Sequence, residues 1–324
     1  MIVGTNGQPE RDIVCVSTAV FIRNTLPILE QSFHRVKVIT IDTETQGSFE
    51  AIVGALHGFN AQNLHIFQCI APEAPEVSAL TSCPAFRASL AEIVLYGIIP
   101  PWQAGSTYAN LTVLRLFSCK HSSLQWEQIQ DVLTAATHLR ILWLAEVSYG
   151  ADTEPVQVLM PSLHKFSFAY TESVFARIIT KIRMPNLYSR NLRAKGSSSI
   201  GPAYHANPNT FHVTRSITIE VPGGNDAKMD EILRNMRGAC FLDLSRCNSD
   251  IIPILLKLAA DSNFSMDNLC ELVVPNGVTE VDAAQILKSG FPDRCRLSVK
   301  GCQTVWMNQG TEIIVVSPAN THIT

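Results

Sequence analysis

The sequence predicts an α/β solenoid, with parallel strands lining one face and helices the other, and three observations lead to it. Residues 111–119 read LTVLRLFSC, an instance of LxxLxLxxC. Successive side chains of a strand point to opposite faces, so Leu114 and Leu116 go to one side of a short strand and the residues between and after them to the other. The phrase then returns from one end of the chain to the other. Between its copies, apolar residues recur three and four positions apart, the spacing of a helix with one buried face.

Followed by its first position, the phrase starts at Val36, Ala61, Leu90, Leu111, Leu139, Leu163, Leu187, Thr214, Ala239, Leu269 and Arg294. The steps are 25, 29, 21, 28, 24, 24, 27, 25, 30 and 25 residues, and all but one fall inside the roughly 20 to 29 residues of a leucine-rich repeat. Fourth and sixth positions are apolar in pair after pair, from Ile39 and Ile41 through Phe166 and Phe168 to Leu297 and Val299, and Arg190 alone breaks the set. The ninth position is Cys at Cys69, Cys119, Cys247 and Cys302. A small polar side chain there can turn inward and satisfy backbone groups of the loop that leaves the strand.

The elements follow in order. Helices are expected at 48–57, 124–136, 171–182, 226–237, 249–262 and 279–289. In 124–136, Trp126, Ile129, Val132 and Leu133 share one face; in 171–182, Val174, Ile178, Ile179 and Ile182 do so. Ser249 is the expected cap of the next helix but one, which tolerates Pro253 because it lies near the first turn. Thr279 and Asp282 form a capping-box-like pair, and Gly290 closes the last helix. Residues 97–110, with Pro100, Pro101 and Gly105, are expected to form a loop without a helix; residues 194–212, rich in Gly, Ser, Pro and Asn, a mobile excursion beside the coil that carries Arg190. Strand then helix at this period gives one domain over 1–324, about eleven repeats in a ribonuclease-inhibitor-like horseshoe with strands on the concave face and helices on the convex face.

Composition narrows the function classes. A net charge of −3 offers no electrostatic basis for binding nucleic acid or an acidic membrane. No apolar run reaches the ~18 residues of a membrane span, and the opening MIVGTNGQPERDIV lacks the features of a signal peptide. Nine cysteines, an odd number with no CxxC pair, read as thiols, mostly buried, of a reducing compartment, the cytoplasm or nucleus, and neither a metal nor another cofactor is expected.

Residues 38–47, VITIDTETQG, are a strand followed by Asp-Thr-Glu-Thr, the opening motif of DEDD-type 3′-5′ exonucleases, in which Asp42 and Glu44 would hold metal ions. The later acidic motifs and the His-to-Asp spacing of such enzymes are missing, and no GxxxxGKS, GxGxxG, GxSxG or HExxH pattern is present. A non-catalytic role is therefore expected, with the exonuclease as the alternative.

Where the repeat leaves side chains outside the core, it defines a binding face at its third, fifth and seventh positions. Phe67, Tyr96 and Phe117 stand at seventh positions and Trp143 at a fifth, an aromatic strip with Glu92 and Arg115 beside it. Beyond it the face turns polar and charged, through Lys165, Asn191, Arg193, Glu220, Asp243 and Glu271. Phe67, Tyr96, Arg115, Phe117, Trp143, Lys165 and Asp243 are the expected contacts of a protein partner. In the other reading of the same residues, the aromatics cover the rim or meet the loop at 97–110.

The run from Leu111 to Leu192, with its LTVLRLFSC, WEQIQDVLTAATHLRILWL, PVQVLMPSLHKFSF and MPNL phrases, resembles the repeat region of fungal F-box proteins, especially those of mushroom-forming fungi. The resemblance covers roughly residues 13 to 300. It implies a substrate-recognition role in a cullin ubiquitin ligase, reached through a Skp-type adaptor that an N-terminal F-box binds. Only about a dozen residues precede the first expected strand near Ile13, and no Leu-Pro-x-Glu opening is present. Adaptor and cullin are therefore expected partners only where an F-box lies upstream.

Overall fold

The computed structural model describes residues 2–5, 26–27, 33–43, 45–56, 62–70, 90–98, 108–117, 126–145, 157–170, 181–194, 214–221, 229–288, 291–293, 295–299, 305–308 and 313–316. It is an α/β chain with mostly parallel strands, in two compact units, Met1–Leu163 and His164–Thr324.

The first unit contains β1 (Ile2–Thr5), β2 (Val36–Asp42), α1 (Gln46–Ala55), β3 (Ile66–Ile70), β4 (Glu92–Tyr96), β5 (Val113–Phe117), α2 (Trp126–Ala135), β6 (Ile141–Ala145) and the short β7 (Val158–Leu159). β2 to β6 pair in chain order, all parallel, and β1 adds an antiparallel edge to β2. The alternation expected from sequence is present: Leu114 and Leu116 are buried, while Val113, Arg115 and Phe117 are half-buried. Just before each of β3 to β6 the backbone ladder already runs, with the second-position N–H donating to the same position of the preceding coil, as from Thr112 to Ala91 O and from Arg140 to Thr112 O, both at 2.8 Å. After β4 the chain turns at Gly97, whose φ of 78° is open to glycine at little cost, and its N–H donates to Phe117 O at 2.8 Å. The remaining centre of the loop at 97–110 lies outside the described residues.

The second unit contains β8 (Lys165–Tyr170), β9 (Ile182–Arg183), β10 (Ser189–Ala194), β11 (Ser216–Glu220), α3 (Met229–Arg234), β12 (Phe241–Asp243), α4 (Ile251–Ala259), β13 (Glu271–Val274), α5 (Glu280–Lys288), β14 (Arg296–Val299), β15 (Val305–Asn308) and β16 (Ile313–Val316). β8, β10, β11, β12, β13 and β14 pair parallel in that order; β15 and β16 follow antiparallel. The repeat pattern stops near Val299, so β15 and β16, like β1, carry no repeat signal.

The helices bury one stripe each. In α1 and just beyond it the stripe is Phe49, Ile52, Val53 and Leu56; in α2 it is Ile129, Val132 and Leu133; in α5 it is Ala283, Ile286 and Leu287. Of the expected helix at 171–182, nearly all lies outside the described residues, and Ile182 stands in β9. The excursion at 194–212 begins with Ala194 as the last residue of β10 and otherwise lies outside them as well.

Helix starts separate two expectations. Thr279 and Asp282 do form the capping box: the Thr279 N–H donates to Asp282 Oδ2 and the Asp282 N–H donates to Thr279 Oγ1, both at 3.1 Å. Ser249 does not cap α4, because the residue at the cap is Asp250 and the Ser249 hydroxyl donates to Asn248 Oδ1 at 3.1 Å. Pro253 sits third in that helix, in the first turn, where its missing N–H leaves no bond unmade. Thr279→Ala removes the acceptor of one capping bond and is expected to destabilise the second unit by about 1 kcal/mol, read as a lower urea midpoint at unchanged slope.

A feature absent from the repeat phrase as first written leads into many strands. Three residues before the first position stands an apolar, buried residue whose carbonyl accepts the first-position N–H: Tyr108 for Leu111, Ala136 for Leu139, and Met160, Met184, Met236 and Met266 in the following coils. This tight turn delivers the chain from the outer segment into the sheet and buries a side chain at the bend.

The second coil corrects the register. β3 pairs with β4 so that Phe67 faces Ile93 and Cys69 faces Leu95, and β2 pairs with β3 so that Ile39 faces Phe67. The first position of that coil is therefore Leu64, three residues beyond Ala61. Phe67 is its fourth position and Cys69 its sixth, both fully buried.

Candidate functional site

The first unit presents a sheet face made of third, fifth and seventh positions. In the register of the strands, the fifth positions run Thr40, Gln68, Val94, Arg115 and Trp143, and the seventh positions Asp42, Ile70, Tyr96, Phe117 and Ala145. All of them are half-buried or exposed, so nothing in the described chain covers this face fully.

Three of the expected aromatics meet here. Tyr96 stacks on Phe117 with ring centroids 6.3 Å apart, and Phe117 meets Trp143 edge to face at 5.1 Å. Tyr96 is 39% exposed, whereas Phe117 and Trp143 are half-buried, partly by one another. Phe67, expected as the first ring of the strip, is not part of it: it is 0% exposed and packs inside the unit. Its expected place is taken by Ile70, which pairs with Tyr96 in register and is itself 39% exposed. The frame beginning at Leu64 would have identified Ile70, because LHIFQC satisfies the same alternation as LAEIVL.

Arg115 lies in the middle of this face, between Val94 and Trp143 in register. Its Nη2 is 3.8 Å from Oε1 of Glu92, close enough for Coulombic attraction but beyond hydrogen-bond reach, and both side chains are partly exposed, at 34% and 23%. The pair contributes little to stability in that setting. The Arg115 Nε is shielded from solvent and has no acceptor among the described residues.

The expected charged residues of the second unit do not form one cluster. Lys165 is exposed on β8, three strands away from Asp243 on β12. Asp243 Oδ1 accepts the Ser245 N–H at 2.9 Å and so shapes the turn that follows its strand. Glu220 is buried and pairs with Arg246 at 3.2 Å, while Glu271 accepts from Ser298 Oγ at 3.4 Å. Among the described residues of their unit, nothing joins Lys165 and Asp243 into a shared site.

In one coil the ninth-position thiol does bond to backbone, though to a strand carbonyl of the preceding coil and not to the loop that leaves its own strand. Cys247 Sγ donates to the Ile219 carbonyl at 3.4 Å, and burial pushes its pKa up to about 11, so it stays a thiol donor at neutral pH. Cys69 has no such place, being a sixth-position core residue, and Cys119 and Cys302 lie outside the described residues. Of the described cysteines, Cys69 and Cys295 are buried, Cys240 and Cys247 half-buried and Cys270 exposed.

Asp42 is exposed at the end of β2, and Glu44 lies outside the described residues. The threonines of the same stretch have structural roles: the Thr43 N–H donates to Ile70 O at 2.9 Å, and Thr45 caps α1 by accepting the Ser48 N–H at 3.3 Å. Among the described residues no group of three His, Cys, Asp or Glu side chains is disposed to hold a metal ion, and no helix is long and apolar enough to cross a membrane. No protein-family model matches the chain, and no curated protein matches it.

Proposed function

We propose that the chain is a non-catalytic protein-recognition module whose coils are leucine-rich repeats stacked into a horseshoe of the ribonuclease-inhibitor type. In this reading the face bearing Tyr96, Arg115, Phe117 and Trp143 is the concave surface and binds a protein partner. The repeats would act as the substrate-recognition part of an F-box-type ubiquitin ligase of the cytoplasm or nucleus, with a Skp-type adaptor engaged only through an F-box upstream of this sequence. Strand periodicity, parallel in-register pairing and the alternation of buried and half-buried side chains support the architecture.

The observation that carries the functional reading is the mutual contact of three aromatic rings on a sheet face that the described chain leaves partly open. Contiguous exposed apolar surface is costly in water and marks places where another molecule docks. Aromatic anchors with an arginine among them are also the side chains that dominate binding energy in protein interfaces.

Trp143→Ala tests this. The side chain projects from the half-buried face, so its removal is expected to leave the melting temperature near wild type. Recovery of the partner from a lysate of the native organism should fall as affinity drops by ~2 kcal/mol or more, about 30-fold. Unchanged recovery with Tyr96, Phe117 and Trp143 all truncated would remove the face from consideration. Reproducible recovery of a Skp-type adaptor by this chain alone would mean that the adaptor docks without an F-box.

A further inference from the structure

Resting on the reading of this face as a docking surface, we infer that its occupant is an extended protein segment bearing a carboxylate between two apolar side chains, with Arg115 as the group that reads the carboxylate. Arg115 occupies the middle of the strip, yet its ion-pair partner Glu92 stands 3.8 Å away, and the Arg115 Nε has no hydrogen-bond partner among the described residues. The Nε is enclosed while about a third of the side chain is exposed, so the exposed part is the far end of the guanidinium, whose N–H donors match both oxygens of a carboxylate.

Spacing sets the shape of the ligand. From Ile70 on β3 to Trp143 on β6 is three strand steps, roughly 14 Å at 4.8 Å per step. An extended segment crossing the strands covers about 13 Å between residues i and i+4, with i, i+2 and i+4 facing the same way. Apolar side chains at i and i+4 then reach the Ile70 and Tyr96 end and the Trp143 end, while the side chain at i+2 comes over β5, where Arg115 and Phe117 stand. A basic residue at i+2 would be repelled by the guanidinium, and a neutral one would leave its donors to water. Glu92 lies on the third-position side of Arg115, away from the seventh-position rings. It holds the guanidinium by charge while weakening its pull on an incoming carboxylate. The neighbouring acid, the exposed Asp42 and the net charge of −3 argue against a polyanion such as a nucleic acid as the occupant.

The test uses the full chain and capped synthetic peptides with Leu and Phe four residues apart around a central Glu, Gln or Lys, plus an oligothymidylate as the polyanion. The expected result is binding in the order Glu over Gln over Lys, with Arg115→Gln weakening the Glu-centred peptide about tenfold or more and leaving the Gln-centred peptide nearly unchanged. Glu92→Gln should tighten the Glu-centred peptide, and Arg115→Lys should retain part of the preference because it keeps the charge but loses the fork. Arg115→Lys also carries the test if Arg115→Gln fails to fold. Equal binding of all three peptides, abolished by Trp143→Ala, would overturn the carboxylate assignment and leave the docking face standing. Binding of no peptide by wild type would overturn both. A preference for the Lys-centred peptide, tighter binding of the oligothymidylate, or weakening by Glu92→Gln to the same degree as by Arg115→Gln would overturn the inference.

Discussion

Leu142→Ala is expected to destabilise the first unit by about 2 to 5 kcal/mol, which for a unit of this size lowers the melting temperature by roughly 4 to 20 °C. The side chain is fully buried at the fourth position of β6, directly beside Leu114 in register, with Leu144 two residues on facing the same way. Removing it takes away the transfer free energy of the isobutyl group and leaves a void between coils. The paired backbone can close that void only by breaking the ladder that holds β5 and β6 in register. Calorimetry of the full chain reads the shift. A shift below about 2 °C would mean that neighbouring coils collapse freely, which conflicts with a ladder of paired strands.

Arg190→Met is expected to change the pH dependence of the second unit's stability, by up to about 4 kcal/mol between neutral pH and pH well above 9. Arg190 is 0% exposed at the fourth position of β10, and its partners in register are the buried Phe166 and Ile217. Loss of hydration in that apolar row pushes the guanidinium pKa down, to about 9. The sign follows from proton binding. Below that value both folded and unfolded chains carry the proton and the full cost of burying the charge is present. As pH rises above it the folded chain releases its proton first, the unfolded chain then holds more protons, and stability rises. The stability of the Met variant relative to the native chain should therefore be highest at neutral pH and fall as pH passes 9, read from the difference in melting temperature between the two proteins at pH 7.5 and pH 10. A lower melting temperature for Arg190→Met at pH 7.5 would show that the contacts of the guanidinium inside the coil outweigh its loss of water.

Much of the fold was legible because strand alternation and helical spacing are local properties. The pairs Leu114 and Leu116, Leu142 and Leu144, and Leu242 and Leu244 are buried as their spacing requires. Thr279 and Asp282 form their cap from residues three apart, a relation that needs nothing from the rest of the chain. The candidate site was legible in part: Tyr96, Phe117 and Trp143 share a face because their coils were framed correctly, whereas Phe67 was assigned to that face through a frame three residues early. Ser249 does not cap α4, because its hydroxyl donates to Asn248 Oδ1, and Asp250 at the cap position makes no side-chain capping bond either.

What the sequence alone determined, then, is the alternation along each strand, the apolar stripe of each helix and the periodicity that repeats them. Tertiary pairing decided what periodicity leaves open. Between residues 61 and 69 two apolar frames satisfy the same phrase, one through Leu64 and Ile66, the other through Phe67 and Cys69. Only the alignment of β3 against Ile39 on one side and Ile93 on the other places Phe67 in the core and Ile70 at the surface. The approach of Arg115 to Glu92 has the same origin: they sit on different strands at different repeat positions, and the parallel register of β4 against β5 brings their side chains together where no local pattern relates them. Register is a property of pairs of strands, and a shift of a single residue moves every side chain to the opposite face.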